Sequence, residues 1–224
     1  TEGLNYKVVS MHSYIYNTGI FFSQVAAEHQ ARTALKYPDG KTVSYAELDK
    51  LSNRVANYLL SRCLSKGNVI AIFNNKSPLA YACMLAALKT GIIYTNLDLT
   101  SPYQRIKKIV ERCSPALLIF DTESELKNEI AELGIISIDL FDGLESELKN
   151  YPATLPEATK SGTGADAAYI MFTSGSTGFP KGAVITHANL INFISWGQTE
   201  FSVTVDDVFT NANPIYFDNS VFDF

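Results

Sequence analysis

The sequence predicts an α/β fold of mostly parallel sheets flanked by helices. Short apolar strands alternate with helical stretches between about residue 44 and residue 138. Several strands, residues 69–73 and 116–120 among them, are apolar throughout, as a strand buried on both faces requires. Capping and stop residues punctuate the helices at the expected places. The 224 residues are enough to bury a sizeable core, and 46% hydrophobic against 18% charged content excludes a disordered chain.

Residues 1–30 read as a lead-in that ends in a short helix near residues 21–29. Asp39-Gly40 signals a hairpin turn between residues 35–37 and 42–44. Ser44, with Glu47 three residues on, forms a capping box, and Leu48, Leu51, Val55 and Leu59 fall on one face of the helix that follows. A strand is predicted at 69–73. Ser77-Pro78 starts a helix that Gly91 ends. A strand follows at 92–95. Ser101-Pro102 repeats the start signal for a helix whose buried face is Ile106, Ile109, Val110 and Cys113. Then come a strand at 116–120, a helix at 123–133 closed by Gly134, and a strand at 135–138. Residues 1–142 thus form a first α/β layer. Residues 143–166, rich in Glu, Ser, Pro, Thr and Gly, read as a surface connection between two layers. Residues 167–224 hold a strand at 167–172, a Gly/Ser/Thr loop, a strand at 183–185, a helix at 187–196 and a further strand at 208–211.

Composition excludes several classes of function. The net charge is −5 and no long basic run occurs, so no nucleic-acid surface is expected. No apolar run reaches about 18 residues, so no membrane span is expected. The N-terminal residues lack the form of a signal peptide, and the sequon Asn75-Lys76-Ser77 is read as chance. Cys63, Cys83 and Cys113 lie inside apolar helical patterns and read as buried thiols, which suits a reducing, cytoplasmic setting. His12, His29 and His187 lack partners for a metal site, and His187 reads as a helix-start or packing residue. Trp196, spaced from Phe193 as on one helix face, reads as core. Arg105, Lys107, Lys108 and Arg112 read as a solvated helix face.

The stretch "AYIMFTSGSTGFPKGAVITH", residues 168–187, carries the chemistry. Thr173, Ser174, Ser176 and Thr177 supply hydroxyls. Gly175, Gly178 and Gly182 allow close backbone approach and positive φ, and Lys181 adds a mobile cation. Hydroxyls, backbone N–H groups and an ammonium suit a phosphate. The loop follows a strand, and in open α/β sheets ligands bind beyond the carboxyl ends of strands. It is not a Walker A loop, because Pro180 precedes Lys181 and a strand follows instead of a helix; nor is it a GxGxxG fingerprint.

"YIMFTSGSTGFPKGAVITHANL" resembles the phosphate-loop signature of the adenylate-forming superfamily: acyl-CoA synthetases, luciferases and the adenylation domains of nonribosomal peptide synthetases. "VSYAELD" (43–49) resembles the first core motif of amino-acid adenylation domains, "ALKTGIIYTNLD" (87–98) the second and "YFDNSVFDF" (216–224) the fourth. All stand in family order over residues 43–224, and the last favours amino-acid-activating members. Thr95-Asn96 departs from the family, which has Val-Pro there.

The resemblance implies the N-terminal portion of the large domain of an enzyme that activates an amino acid. The carboxylate attacks the α-phosphate of ATP, pyrophosphate leaves, and the aminoacyl-AMP passes to the phosphopantetheine thiol of a carrier protein. It implies that Thr173, Ser174, Gly175, Ser176, Thr177, Gly178 and Lys181 hold the β- and γ-phosphates, with Lys181 acting catalytically on the leaving pyrophosphate, and that Mg²⁺ bridges the phosphates. No metal ligand is assigned. Asp218 would pair with the substrate ammonium, a turn or helix-cap residue being its other reading, and Asn219 and Phe222 would line the side-chain pocket. Phe222 has ordinary core packing as its other reading. Partners implied are the amino acid, the remainder of the adenylation domain, the carrier protein and neighbouring synthetase domains. The family's domains are roughly twice this length. Residues 1–224 are therefore expected to be inactive alone, with the adenine- and ribose-binding segments and the small C-terminal domain lying elsewhere. A stand-alone ligase such as a D-alanine–carrier ligase, and a non-catalytic degenerate copy of the fold, stay open as alternatives.

Overall fold

A computed structural model describes residues 15–98, 100–121, 126–173 and 179–224. The elements in chain order are α1 (Thr18–Glu28), β1 (Thr33–Lys36), β2 (Thr42–Ser44), α2 (Tyr45–Ser61), β3 (Val69–Phe73), α3 (Pro78–Thr90), β4 (Ile93–Leu97), α4 (Tyr103–Cys113), β5 (Leu117–Phe120), α5 (Leu126–Ala131), β6 (Ser137–Asp139), α6 (Leu144–Leu148), a 3-10 turn (Glu157–Ser161), β7 (Ala167–Thr173), β8 (Lys181–Thr186), α7 (His187–Glu200) and α8 (Asn219–Asp223). β1 and β2 form an antiparallel hairpin. The other strands form one six-stranded sheet in the order β6-β5-β3-β4-β7-β8. Every neighbouring pair in it is parallel except β7–β8. The predicted α/β class, with a mostly parallel sheet, is what the chain adopts.

Residue alternation along the strands divides the core between the two faces. Ile70 and Ile72 of β3 and Ile119 of β5 join the cluster built on α2 and α3. Ala71 and Phe73 of β3 and Leu118 and Phe120 of β5 join the cluster under α4. Phe73 and Phe120 stack with ring centres 4.7 Å apart. Both faces bury side chains at about 1.5–3 kcal/mol for each large aliphatic one, which is why these strands lack a polar alternate position.

The helix ends follow their sequence signals. Ser44 and Glu47 form the predicted capping box on α2. Ser77 caps α3, with Pro78 at the first turn and Gly91 left-handed at its end. α4 differs: Pro102 is its cap and offers no side-chain acceptor. The Ser101 hydroxyl instead donates to Asp98 at 3.0 Å. Gly19 lets α1 approach α3 closely, since a Cβ there would lie 2.5 Å from the Lys89 amide nitrogen.

Other expectations need correction. No strand forms at 208–211: Val208 is 87% exposed and Asn211 is left-handed (φ 42°), so the run has no ladder partner. The helix predicted at 123–133 spans Leu126–Ala131, and the start of that range lies outside the described residues. Residues 143–166 are not bare connection but hold α6 and the 3-10 turn. They lead from β6, at one edge, to β7, which shares the sheet with β3–β6. Cys83 is buried and Cys113 half-buried, but Cys63 is exposed just beyond α2. Trp196 is 49% exposed and stacked on Phe193, not core. Among the described residues no helix is long and apolar enough to cross a membrane.

Candidate active site

Three of the four sequence motifs meet around β4, β7 and α8. Tyr94 of β4 pairs in register with Tyr169 of β7, and their rings stack 5.5 Å apart. Tyr169 lines one small cavity with Ser220 and Val221, so the fourth motif lies close to the third; burial raises the Tyr169 phenol above its ordinary value, and the negative charge of Asp218 raises it further. Burial raises the Tyr216 phenol, and the Asp98 carboxylate raises it further. Tyr94 and Asn96 of the second motif line one small cavity with Ser220, Val221 and Phe224 of the fourth.

The phosphate-loop candidate is the turn of the β7–β8 hairpin. Thr173, the last residue of β7, stands opposite Lys181, the first of β8. β8 begins two residues earlier than the sequence suggested, because β7 continues the ladder to Thr173. Lys181 thus stands at the base of the loop on a strand, a firmer mounting than a free loop. Ser174, Gly175, Ser176, Thr177 and Gly178 lie outside the described residues. Gly182 does not take a positive φ. Its lack of a side chain makes room for its neighbours: a Cβ would lie 3.0 Å from Ile170 and 3.1 Å from the Phe172 ring.

An open cleft of about 740 Å³ runs between α4 and the β7–β8 hairpin, lined by Lys108, Arg112, Phe172, Phe179 and Lys181 among others. The Lys108 ammonium lies 4.7 Å from the centre of the Phe179 ring. Three cations on one cleft suit a polyanion. The spacing of Lys108 and Arg112 looked like a solvated helix face; only the packing of α4 beside the hairpin sets them with Lys181.

Asp218 is the cap of α8, and its carboxylate accepts from the Asn219 amide at 2.9 Å. Asp218 and Asn219 are exposed. Phe222 packs into aromatic contacts with Phe193, Phe201 and Phe209, at ring distances of 6.0, 5.2 and 5.6 Å. Its ring lies against Gly197 of α7, where a Cβ would come within 3.0 Å. Beneath α8 a cavity of about 10 Å³, among Met84, Tyr94, Asn96, Tyr169, Ser220 and Val221, has room for one water and no more.

Two polar clusters belong to the framework. The Lys89 side chain, 0% exposed, donates to Asp49 at 2.8 Å, Ser52 at 2.7 Å and Asn53 at 2.8 Å. This ties the second motif to the first. His187, 1% exposed, is the first residue of α7, at the opposite end of β8 from Lys181. Its Nδ1 accepts from the Thr18 amide at 3.2 Å and lies 2.9 Å from the Thr18 hydroxyl. The packing role read for it from sequence is the one it has.

Sequence missed one further group. Asp121, buried at the end of β5, accepts from the amides of Asn75 (2.8 Å) and Ser77 (3.0 Å) and from the Ser77 hydroxyl. Burial raises its carboxyl above the ordinary value, against those hydrogen bonds. The signal was a lone acid directly after an apolar strand.

A parallel sheet ending in this hairpin, with the motifs in this order, defines the N-terminal part of an adenylate-forming fold. The chain belongs to the AMP-binding enzyme family, whose model matches residues 22–224. It is 34% identical over 186 residues to a D-alanine–D-alanyl carrier protein ligase of Listeria welshimeri, covering 82% of this chain and 36% of that protein. It is 32% identical over 208 residues to surfactin synthase subunit 3 of Bacillus subtilis, covering 91% of this chain and 16% of that one. Among solved structures it superposes on ATP-bound MatB from Rhodopseudomonas palustris with a TM-score of 0.79 at 28% identity, covering 92% of this chain and 42% of MatB. The chain therefore spans well under half the length of each of these relatives.

Proposed function

We propose that this chain is the N-terminal part of an enzyme that activates an amino acid as aminoacyl-AMP, releasing pyrophosphate, for transfer to a carrier-protein phosphopantetheine thiol. The observation that carries the reading is that Asp218 caps α8, whose Ser220 and Val221 line one small cavity with Tyr169 of β7, the strand that leads to the phosphate-loop candidate. A carboxylate there offers an ammonium partner near the strand that leads to the phosphates. Thr173, Ser174, Gly175, Ser176, Thr177, Gly178 and Lys181 would hold the β- and γ-phosphates of ATP. The chemistry of the described donors fits: Lys181 is mounted at the loop's base, with Lys108 and Arg112 on the same cleft. Lys181 would stabilise charge building on the departing pyrophosphate. For Mg²⁺, the described residues include no group of three His, Cys, Asp or Glu side chains suited to a metal, and no residue is assigned to it.

Asp218 would anchor the substrate ammonium, with Asn219 and Phe222 toward its side chain. Phe222 would act as a wall already fixed by its aromatic neighbours. The cavity under α8 is far too small for an amino acid, so the pocket needs the further segments that the longer relatives carry. Both a module of a peptide synthetase and a separate amino acid–carrier ligase fit this reading, since relatives of both kinds match. A degenerate copy is disfavoured because Lys181 and Asp218 are both present. A cytoplasmic setting fits the three free cysteines.

The test is amino-acid-dependent ATP–pyrophosphate exchange by the full-length enzyme, screened over all amino acids. At least one is expected to support turnover, and exchange by residues 1–224 alone is expected at background. Lys181→Ala should lower kcat/KM roughly thirtyfold, the loss of one charge-assisted contact of about 2 kcal/mol. Absence of exchange with every amino acid would sink the reading.

A further inference from the structure

We propose that Lys76 is a positioning residue for the amino-acid site, a strap that sets the place of the segment leading to Asp218. The inference rests on the reading of Asp218 as the ammonium anchor. Lys76 lies just beyond the carboxyl end of β3 and is left-handed (φ 64°). Its ammonium donates to the carbonyls of Asn211 at 2.6 Å and Asn213 at 2.8 Å, across more than 130 positions of sequence. Asn213 precedes Asp218 by five residues.

The strap is held on its own side. The Lys76 amide donates to Asn74 Oδ1 at 2.7 Å, and the Tyr37 hydroxyl donates to the Lys76 carbonyl at 2.9 Å. Asp121 binds the amides on either side of Lys76, those of Asn75 and Ser77. Asn74 is tied in turn to Asn96 of β4 at 3.1 Å, the residue that stands where the family has proline. The turn is therefore fixed to β3, β4 and β5 together, and the ammonium projects from a rigid base.

Within the segment it grips, Ile215 is buried in the core and Phe209 packs on Phe222, but Asn211 and Asn213 themselves lie outside the core. Residues 203–217 form neither helix nor strand, so no backbone ladder sets their position and a few side-chain ties must. Arg32–Asp206 is one, but both side chains are largely exposed, at 48% and 87%, and such pairs contribute little. Closer to Asp218, Asn211 Nδ2 donates to the Tyr81 hydroxyl at 2.9 Å and the Ser220 hydroxyl to the Ile215 carbonyl at 3.0 Å. Lys76 supplies two charge-assisted bonds to main-chain carbonyls, which fix the path of the chain and not only one side chain.

The test compares Lys76→Met and Lys76→Arg in the full-length enzyme by pyrophosphate exchange and by amide hydrogen exchange. Lys76→Met is expected to raise the KM for the amino acid about tenfold while the KM for ATP stays within about twofold, and Lys76→Arg, which can still reach both carbonyls, should recover most of the loss. Amide exchange at 211–217 should speed up in Lys76→Met about tenfold, with β3 and α3 unchanged. Unchanged exchange at 211–217, equal rises in both KM values, or an arginine variant as poor as the methionine variant would each overturn the strap. Failure of the unsubstituted enzyme to activate any amino acid would instead overturn the reading of the site, and the hydrogen-exchange result would still decide whether Lys76 fixes the segment.

Discussion

Asp49→Asn should destabilise the chain by about 3 kcal/mol, because it strips the counter-charge from a buried ammonium. Lys89 is 0% exposed, whereas the Asp49 side chain keeps 21% of its surface, so the cation bears most of the desolvation. Burial lowers the Lys89 pKa and Asp49 opposes the shift. Asp49 also accepts from Ser23 at 2.7 Å and from Asn53 at 3.1 Å, so its charge is shared by a network joining α1, α2 and α3. Without it, Ser52 and Asn53 still bond the ammonium, but neither carries charge. Lys89→Met places an apolar chain of similar length in the same space and should cost less than Asp49→Asn. The double substitution should be more stable than Asp49→Asn alone, since the buried charge is gone. Urea unfolding of the four proteins measures this as a double-mutant cycle. Strictly additive effects would contradict the account.

Acidification should unfold the chain in part through His187. Desolvation holds the folded imidazole at about 4, with the Asp166 carboxylate opposing and the Lys66 ammonium assisting. The unfolded side chain titrates near 6.5. Below about pH 6.5 the unfolded state takes a proton that the folded state refuses until about pH 4. Stability is therefore complete above pH 6.5 and is lost as pH falls toward 4, by about 3 kcal/mol for this one group. The geometry agrees with the direction: Nδ1 accepts the Thr18 N–H, which a protonated ring cannot do. Asp121 works the other way, since its raised carboxyl loses its burial cost on protonation. The measurement is thus a difference. Urea unfolding between pH 4 and pH 7 should fall more steeply with acid for the unsubstituted chain than for His187→Asn, whose Oδ1 can accept the same amide. Parallel curves would exclude His187 as the source.

Much of the fold was legible because its signals are local. The box of Ser44 and Glu47, the Ser77-Pro78 start and Gly91 stop of α3, and the apolar runs of β3 and β5 each depend on residues within a few positions. The exceptions were decided at a distance. Residues 208–211 are apolar enough for a strand, yet a strand exists only where a ladder partner lies alongside. Trp196 has helical spacing to Phe193, yet spacing does not say whether another layer covers it.

The site divides in the same way. The roles proposed for Lys181 and Asp218 rest on their motifs, that is, on residue type and order. Sequence could not show that Lys108 and Arg112 share a cleft with Lys181, since that depends on α4 packing beside a hairpin some sixty positions later. Nor could it show that Lys76 grips Asn211 and Asn213. By itself the sequence determined the α/β class and the ends of α2 and α3. The tertiary structure alone decided which motif residues serve the framework, as Asp49, Lys89 and His187 do, and which face the site. The physical reason is range: capping and periodicity act over one or two turns, whereas burial, charge pairing and the path of a loop are set by residues that only folding brings together.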